Sequence, residues 1–318
     1  MKFRTEVIIE NAGFEVNHQS NILFLGSCFA ENIGTMLEKS RFKTDINPFG
    51  ILYNPLSIAQ SIDFLFTNKQ FSINDLVNHE GVWHSFSHHS RFSGLNAEEV
   101  LETMNKRMQV SADFLRKTDY LFITLGTAWV YFLKQTGKVV SNCHKLHNNI
   151  FTRELTSVEK IVNELSKQLE QLLILNKKLR IIFTVSPVRH WKDGALGNQL
   201  SKATLLLAIN ALQKQFSRVS YFPAYEIVMD DLRDYRFYAD DLLHPNSQAI
   251  EYIYEKFASC YFSKETNELN AEIQAVERAK AHRPFNPTTQ NHQTFLDKLN
   301  KRIEFLDQKL IHLNNFKP

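Results

Sequence analysis

Short apolar runs alternate along this chain with longer stretches whose apolar residues recur at helical spacing. Ile22-Leu23-Phe24-Leu25, Tyr120-Leu121-Phe122-Ile123-Thr124-Leu125, Ile181-Ile182-Phe183-Thr184-Val185 and Val219-Ser220-Tyr221-Phe222 have the composition of strands buried on both faces. Between them, Asn96-Ala97-Glu98-Glu99 caps a helix carrying Leu101, Met104, Met108 and Leu115, and Thr156-Ser157-Val158-Glu159 opens another with Val158, Ile161, Val162, Leu165, Leu169 and Leu172 on one stripe. The pattern predicts a third helix over about 200–216 and a fourth after Pro245, with Ile250, Ile253, Tyr254 and Phe257 facing inward. Strands alternating with helices in this order predict an α/β fold, a parallel sheet with helices on both faces.

Two segments depart from the alternation. Val82 to Phe92 interleaves aromatic and small polar residues, and Val130-Tyr131-Phe132-Leu133 with Val139-Val140 flank the turn Gln135-Thr136-Gly137; both read as inserted hairpin loops near one rim of the sheet. After Phe262 the chain becomes polar and helical, interrupted at His282-Arg283-Pro284-Phe285-Asn286-Pro287. Leu299, Ile303, Leu306, Leu310 and Leu313 then form a narrow seam suited to packing on the domain or on a partner helix, including self-association. The expected division is an α/β domain over 1–262 and a helical extension over 263–318.

Composition narrows the function classes. The 318 residues carry 37 Lys and Arg against 34 Asp and Glu, a net +3 too even to predict nucleic-acid or anionic-membrane binding. Three widely spaced cysteines without a CxxC pair argue against a disulfide framework, and Glu6 and Glu10 interrupt any signal-peptide core. No run approaches a membrane span, so the expectation is a cytoplasmic protein whose partners are small molecules.

Ligands of open α/β sheets bind beyond the carboxyl ends of the strands. Gly26-Ser27-Cys28-Phe29-Ala30 follows the first strand, and a turn there presents side chains at a helix N-terminus, which favours a thiolate or an oxyanion. The competing reading is a Gly-Ser turn beside a buried core thiol. Asp240-Asp241-Leu242-Leu243-His244-Pro245-Asn246 precedes the last core helix, and a carboxylate three residues ahead of a histidine can fix its tautomer. Nucleophile early and Asp-His late is a workable order for a hydrolytic triad. Arg189-His190, past the third strand, could fork onto a substrate carboxylate or phosphate or form a structural ion pair. Trp83, Trp129 and Trp191 stand near the same rim, available for stacking on a sugar or for packing. His84, His88, His89, His144, His190 and His244, with Asp241, hold donors enough for a metal site, although HExxH and CxxC spacings are absent.

Gly26-Ser27-Cys28-Phe29-Ala30 is identical to the motif that names the GSCFA family, relatives of the SGNH/GDSL hydrolases. The resemblance extends through Asn47-Pro48-Phe49-Gly50-Ile51-Leu52-Tyr53-Asn54-Pro55, Trp83-His84-Ser85-Phe86, His88-His89-Ser90-Arg91, Leu125-Gly126-Thr127-Ala128, Ser141-Asn142-Cys143-His144-Lys145, Thr184-Val185-Ser186-Pro187-Val188-Arg189-His190, Ser201-Lys202-Ala203, Tyr221-Phe222-Pro223-Ala224-Tyr225-Glu226 and His244-Pro245. It implies a three-layer, flavodoxin-like domain and a hydrolase or acyl transferase acting on ester bonds without a cofactor, with an acylated carbohydrate or related metabolite as substrate. By the same resemblance Cys28 falls on the nucleophile and Ser27 on the preceding Asp, with Ser27 the nucleophile if the turn is shifted by one. Asp241 and His244 match the Asp-x-x-His block, and Gly50 matches the oxyanion-hole glycine. Gly126-Thr127-Ala128 replaces the Gly-x-Asn block, which removes a side-chain amide donor; Asn142, at the end of the hairpin, is the candidate substitute, with a turn cap as its other reading. Two alternatives stand beside the enzyme: a catalytically silent binding protein and a metal-dependent hydrolase using the histidines.

Overall fold

The computed structural model describes residues 4–282, 285–286 and 288–315. Its centre is a parallel sheet of β1 (Asn21–Gly26), β2 (Lys43–Ile46), β5 (Tyr120–Leu125), β9 (Arg180–Val185) and β10 (Val219–Tyr221), in the spatial order β10-β9-β5-β1-β2. Counting only these strands, the order is the flavodoxin-like 2-1-3-4-5, with the chain reversing direction of travel between β1 and β5. The apolar runs thus form the strands expected of them. Strand β2, Lys-Thr-Asp-Ile, escapes a search for apolar runs because it is an edge strand with one covered position, Asp45, which Arg107 of the neighbouring helix pairs with.

Alternation along each strand divides the core. Leu23, Leu25, Leu121, Ile123, Ile181, Phe183 and Val185 face α2 (Pro55–Thr67), α3 (Ala97–Arg116), α4 (Val158–Leu175) and α5 (Gly194–Gln215). Ile22, Phe24, Phe122 and Ile182 face α1 (Cys28–Lys39), the short α6 (Ala224–Glu226) and α7 (Ser247–Tyr261). Each fully buried Phe or Leu on these faces stabilises the fold by roughly 2 kcal/mol. The helices start at polar caps: Asn54 accepts from Ser57 N, Asn96 from Glu98 and Glu99 N, and Ser157, rather than Thr156, from Lys160 N. The third expected helix begins earlier than predicted, at Gly194.

The insertions are small antiparallel sheets. β3 (Val77–His79) pairs with β4 (Val82–His84), and β6 (Trp129–Leu133) lies between β7 (Val139–Val140) and β8 (Phe151–Leu155). Ser141 N–H donates to Phe86 O and joins the two insertions. At the C-terminal end, α8 (Lys264–Ala281) and α9 (Gln290–Asn315) pack through Leu269, Ile273 and Val276 against Leu299 and Leu306, so the apolar seam of α9 meets a helix of its own chain. Arg41 pairs with Glu277 and Asp307, linking this helical pair to the turn after α1. Arg283, Pro284 and Pro287 of the expected break lie outside the described residues.

Three buried histidines have no carboxylate hydrogen-bonded to the ring among the described residues. Burial lowers His18 and His144 to about 4 and His88, among Phe49, Phe71 and Phe92, to about 3. Below pH 6.5 the unfolded chain takes up protons that the folded chain refuses, so stability falls as pH drops from about 6.5 toward 3. The expected loss between pH 7.5 and 4.5 is on the order of a few kcal/mol. Thermal melts across that range should show a falling Tm; a flat Tm contradicts this account of the buried imidazoles.

Candidate active site

Gly26 ends β1 at φ +132°, and a Cβ there would stand 2.1 Å from the Thr124 carbonyl oxygen of β5. The Asn47 side-chain oxygen accepts from Gly26 N at 2.9 Å, Ser27 N–H donates to Thr124 O at 3.1 Å, and Leu52 N–H donates to Gly26 O at 2.9 Å. The turn is therefore clamped at the point where the sheet changes its direction of winding. Ser27 is 1% exposed and its hydroxyl oxygen accepts from Phe29 N at 3.3 Å as the N-cap of α1. Cys28, half-buried, is the first helical residue.

The sequence suggests a thiol made acidic by the helix N-terminus. The balance goes the other way: burial raises the Cys28 thiol above its ordinary value, against the pull of the Phe29 and Cys28 backbone N–H groups and of Lys202, while Glu31 adds to the rise. A group in this state needs a base to become a nucleophile at neutral pH.

Asp241 and His244 form the expected pair. Asp241 Oδ2 lies 2.5 Å from His244 Nδ1, and Asp241 Oδ1 accepts from the Leu243 and His244 backbone N–H groups, both at 2.9 Å. The backbone donors of His244 and Leu243 and the imidazole hold Asp241 down to about 2. An ionised carboxylate accepts from Nδ1–H, which leaves Nε2 as the basic edge of the ring. Leu242, in the middle of the tetrapeptide, has φ +59°, a strained conformation kept by those bonds. His244 is exposed, with 52% of its side chain open to solvent. Among the described residues no hydrogen bond joins it to Cys28.

Several expectations change on geometry. Gly50 N–H donates to Asn47 O at 2.7 Å, closing a turn at φ +77° whose Cβ position His89 fills, so that N–H is committed and is not a free oxyanion donor. Among the described residues Arg189 forms no ion pair with a rim Asp or Glu; its guanidinium donates to Leu242 O and faces the rings of Trp191, Tyr235 and Tyr238, which ties the Asp241–His244 loop to the end of β9. Gly126 N–H and Thr127 N–H both donate to Tyr53 O, at 2.7 and 3.0 Å.

Asn142 is a turn cap, accepting from His144 N at 3.0 Å and donating to Ser90 Oγ at 3.1 Å, and it also lines a pocket of about 320 Å³. Tyr53, His89, Thr127, Trp129, Cys143, Arg153 and His190 line the same pocket; Cys28 and His244 do not. There His190 pairs with Asp193 at 3.1 Å, and Arg153 grips the same carboxylate at 2.5 and 2.7 Å while lying over Trp129. Trp83 packs against the core instead.

The histidines do not converge as the metal reading requires. His84 stacks on His144, His88 is enclosed by phenylalanines, and His190 and His244 each take a separate carboxylate. Among the described residues no three His, Cys, Asp or Glu side chains gather where they could hold an ion, so that alternative lacks its ligand set.

Two residues at the site carry no role in the sequence reading. Tyr53 lies close enough to Cys28 to feel its charge, and Lys202 of α5 is fully buried nearby. The signal for Lys202 is periodic: positions 202, 205, 209 and 212 form one helical stripe, and Leu205, Ile209 and Leu212 are core residues.

This architecture belongs to the α/β proteins whose site lies at the switch point of a flavodoxin-like sheet. The sequence profile of the GSCFA family matches residues 21–257, and that of the GSCFA domain protein C-terminal domain matches residues 273–317; the chain belongs to the GSCFA family. No curated protein matches the chain. Among solved structures, a carbohydrate esterase family 3 protein from Talaromyces cellulolyticus is similar at 10% identity and TM-score 0.37, covering 80% of this chain and 99% of its own. The acetyl xylan esterase Est2A from the rumen bacterium Butyrivibrio proteoclasticus is similar at 13% identity and TM-score 0.39, covering 76% of this chain and 63% of its own. Among the described residues no helix is long and apolar enough to cross a membrane.

The clamp on Gly26 predicts that Gly26→Ala loses at least about 2 kcal/mol of stability, because the methyl group meets backbone rather than a movable side chain. Denaturant melts of the purified variant check this; wild-type stability contradicts it. Arg189→Met should free the 239–244 loop and raise its amide exchange by tenfold or more, leaving β1 and β5 protected.

Proposed function

We propose that this protein is an SGNH-like hydrolase or acyl transferase acting on ester bonds through a covalent acyl-enzyme on Cys28, with an acylated carbohydrate or related metabolite as its substrate. The observation that carries the reading is the Asp241–His244 pair with its Nε2 edge free, held by Arg189 at the same carboxyl rim that bears the Gly26-Ser27-Cys28 turn. Family membership supports the choice of motif.

In this reading Sγ attacks the acyl carbon as its proton passes to His244 Nε2, and Asp241 stabilises the imidazolium. The exposed loop closes on the thiol when substrate binds, since catalytic hydrogen bonds often tighten only in the complex. The Cys28 N–H, at the N-terminus of α1, donates to the oxyanion; the alkoxide leaves with the proton from His244. Water or a second hydroxyl then resolves the thioester. Ser27 serves as cap, being buried and bonded. The reading needs no cofactor.

A silent binding protein is favoured by one fact, that the expected donor Gly50 N–H is spent on Asn47 O while Ala128 carries no side-chain amide. Iodoacetamide and fluorophosphonate labelling with peptide mass spectrometry, together with aryl acetate turnover, separates the two. Cys28 should be the labelled residue, and Cys28→Ala and His244→Ala should each lower kcat/KM by about 10²–10⁴. Label on Ser27, or turnover unchanged in Cys28→Ala, contradicts the mechanism; absence of any turnover in the unlabelled wild type supports the silent protein.

A further inference from the structure

A second cavity, of about 880 Å³, opens where the two insertions meet α2, and neither Cys28 nor His244 lines it. Phe64 of α2, Leu76, Phe86, Leu133, Val139 and Ile150, all half-buried, form its apolar walls. Backbone bonds hold those walls to one another: Ser141 N–H donates to Phe86 O at 2.8 Å, Leu133 N–H to Lys138 O at 2.9 Å, and Lys134 N–H to Ile150 O at 2.9 Å. The volume falls within the roughly 300–1,000 Å³ of small-molecule sites. Half-buried apolar side chains from three elements, facing one enclosed space, gain free energy when an apolar body covers them.

The charge around this space is positive. Lys69, Asp75, Lys134 and Lys138 are its charged lining residues. Lys69 and Asp75 satisfy each other at 2.8 Å, and Lys69 also lies over the rings of Phe64 and Phe71 at 4.5 and 4.7 Å. Lys134 and Lys138 flank the Gln135-Thr136-Gly137 turn, are exposed, and among the described residues have no hydrogen-bond or ion-pair partner for their ammonium groups. The sequence shows the same bias: residues 120–153 contain Lys134, Lys138, Lys145 and Arg153 but no Asp or Glu, so the remainder of the chain carries 3 − 4 = −1. We propose that the cavity is a binding site for a small amphipathic carboxylate, with its apolar body among Phe64, Phe86, Val139 and Ile150 and its carboxylate on Lys134 and Lys138. The two ammonium groups ride on flexible four-carbon stems and reach an anion at the opening. The apolar body supplies most of the affinity, and the lysines select the headgroup. The site is independent of ester chemistry at Cys28.

The experiment is calorimetric titration of the full chain with dodecanoate, octanoate and dodecyltrimethylammonium. Dodecanoate should bind saturably and at least about tenfold more tightly than octanoate, because each buried methylene contributes roughly a fourfold gain. It should also bind at least about fivefold more tightly than the cationic ligand of the same chain length. Lys134→Glu combined with Lys138→Glu, two exposed changes, should weaken dodecanoate by at least about fivefold with circular dichroism unchanged. Leu146→Trp, which puts an indole into the cavity, should abolish binding. Should that variant fail to fold, dodecanoate carrying a terminal diazirine is photolysed on the wild-type chain, and peptide mass spectrometry should find the label on residues that line the cavity. No saturable binding of dodecanoate at about millimolar concentration, equal binding of the anionic and cationic ligands, or a photolabel placed elsewhere overturns the proposal. None of these readouts involves ester turnover, so carboxylate binding in a chain that hydrolyses no ester preserves this inference and defeats only the enzyme reading.

Discussion

The close approach of Gly26 to Thr124 governs the arrangement of everything at the carboxyl rim. Two parallel strands stand about 4.8 Å apart, and the turn that leaves β1 must clear β5 before α1 can begin. Only a residue without a side chain does so here, because a Cβ would fall 2.1 Å from a backbone oxygen. Once the turn is made, Ser27 caps the helix and Cys28 becomes its first residue. The Asn47 side chain and Leu52 N–H then fasten the loop after β2 to Gly26, and Tyr53 carries the fastening on to Gly126 and Thr127. One steric constraint thereby fixes the Gly26-Ser27-Cys28 turn, the switch point and the floor of the neighbouring pocket.

Charge at the rim is arranged in three separate groups. One is exposed: Asp241 and His244, shaped by backbone donors and a left-handed Leu242, and anchored by Arg189. Another is the fully buried Lys202, which donates to Gly126 O and Ser186 O and, like the half-buried Cys28, is pushed toward its neutral form by loss of water. The third polar group, Arg153-Asp193-His190 beside Trp129 and Asn142, lines the adjoining pocket and has its charge balanced internally.

The strands were readable because burial on both faces forces continuous apolar runs, and the helices because one-sided burial forces a 3.6-residue period. β2 was not, since an edge strand satisfied by Arg107 and Asp45 needs no such run. The Asp241–His244 pair is local, three residues apart, and its geometry follows from spacing. The fate of Arg189 is not local: it is decided by a partner that only folding brings near, Leu242 O some fifty residues away, whereas Gly50 N–H is spent within its own turn on Asn47 O, a bond that the left-handed Asn47 and Gly50 allow and that spacing alone does not reveal. The thiol illustrates the same limit, because a helix N-terminus can be read from residues whereas the burial that outweighs it cannot. Lys202 stood on an apolar stripe in plain view, and a charged residue at a core position marks a place where the fold keeps something costly.

The central claim is that Cys28 carries an acyl group during turnover. The most direct measurement is acid quenching of the protein mixed with an activated aryl ester, followed by peptide mass spectrometry and treatment with neutral hydroxylamine. The account predicts an acyl mass on the Cys28 peptide, lost to hydroxylamine as a thioester and absent in Cys28→Ala. An acyl group on Ser27 or elsewhere, or turnover with no adduct at any quench time, contradicts it.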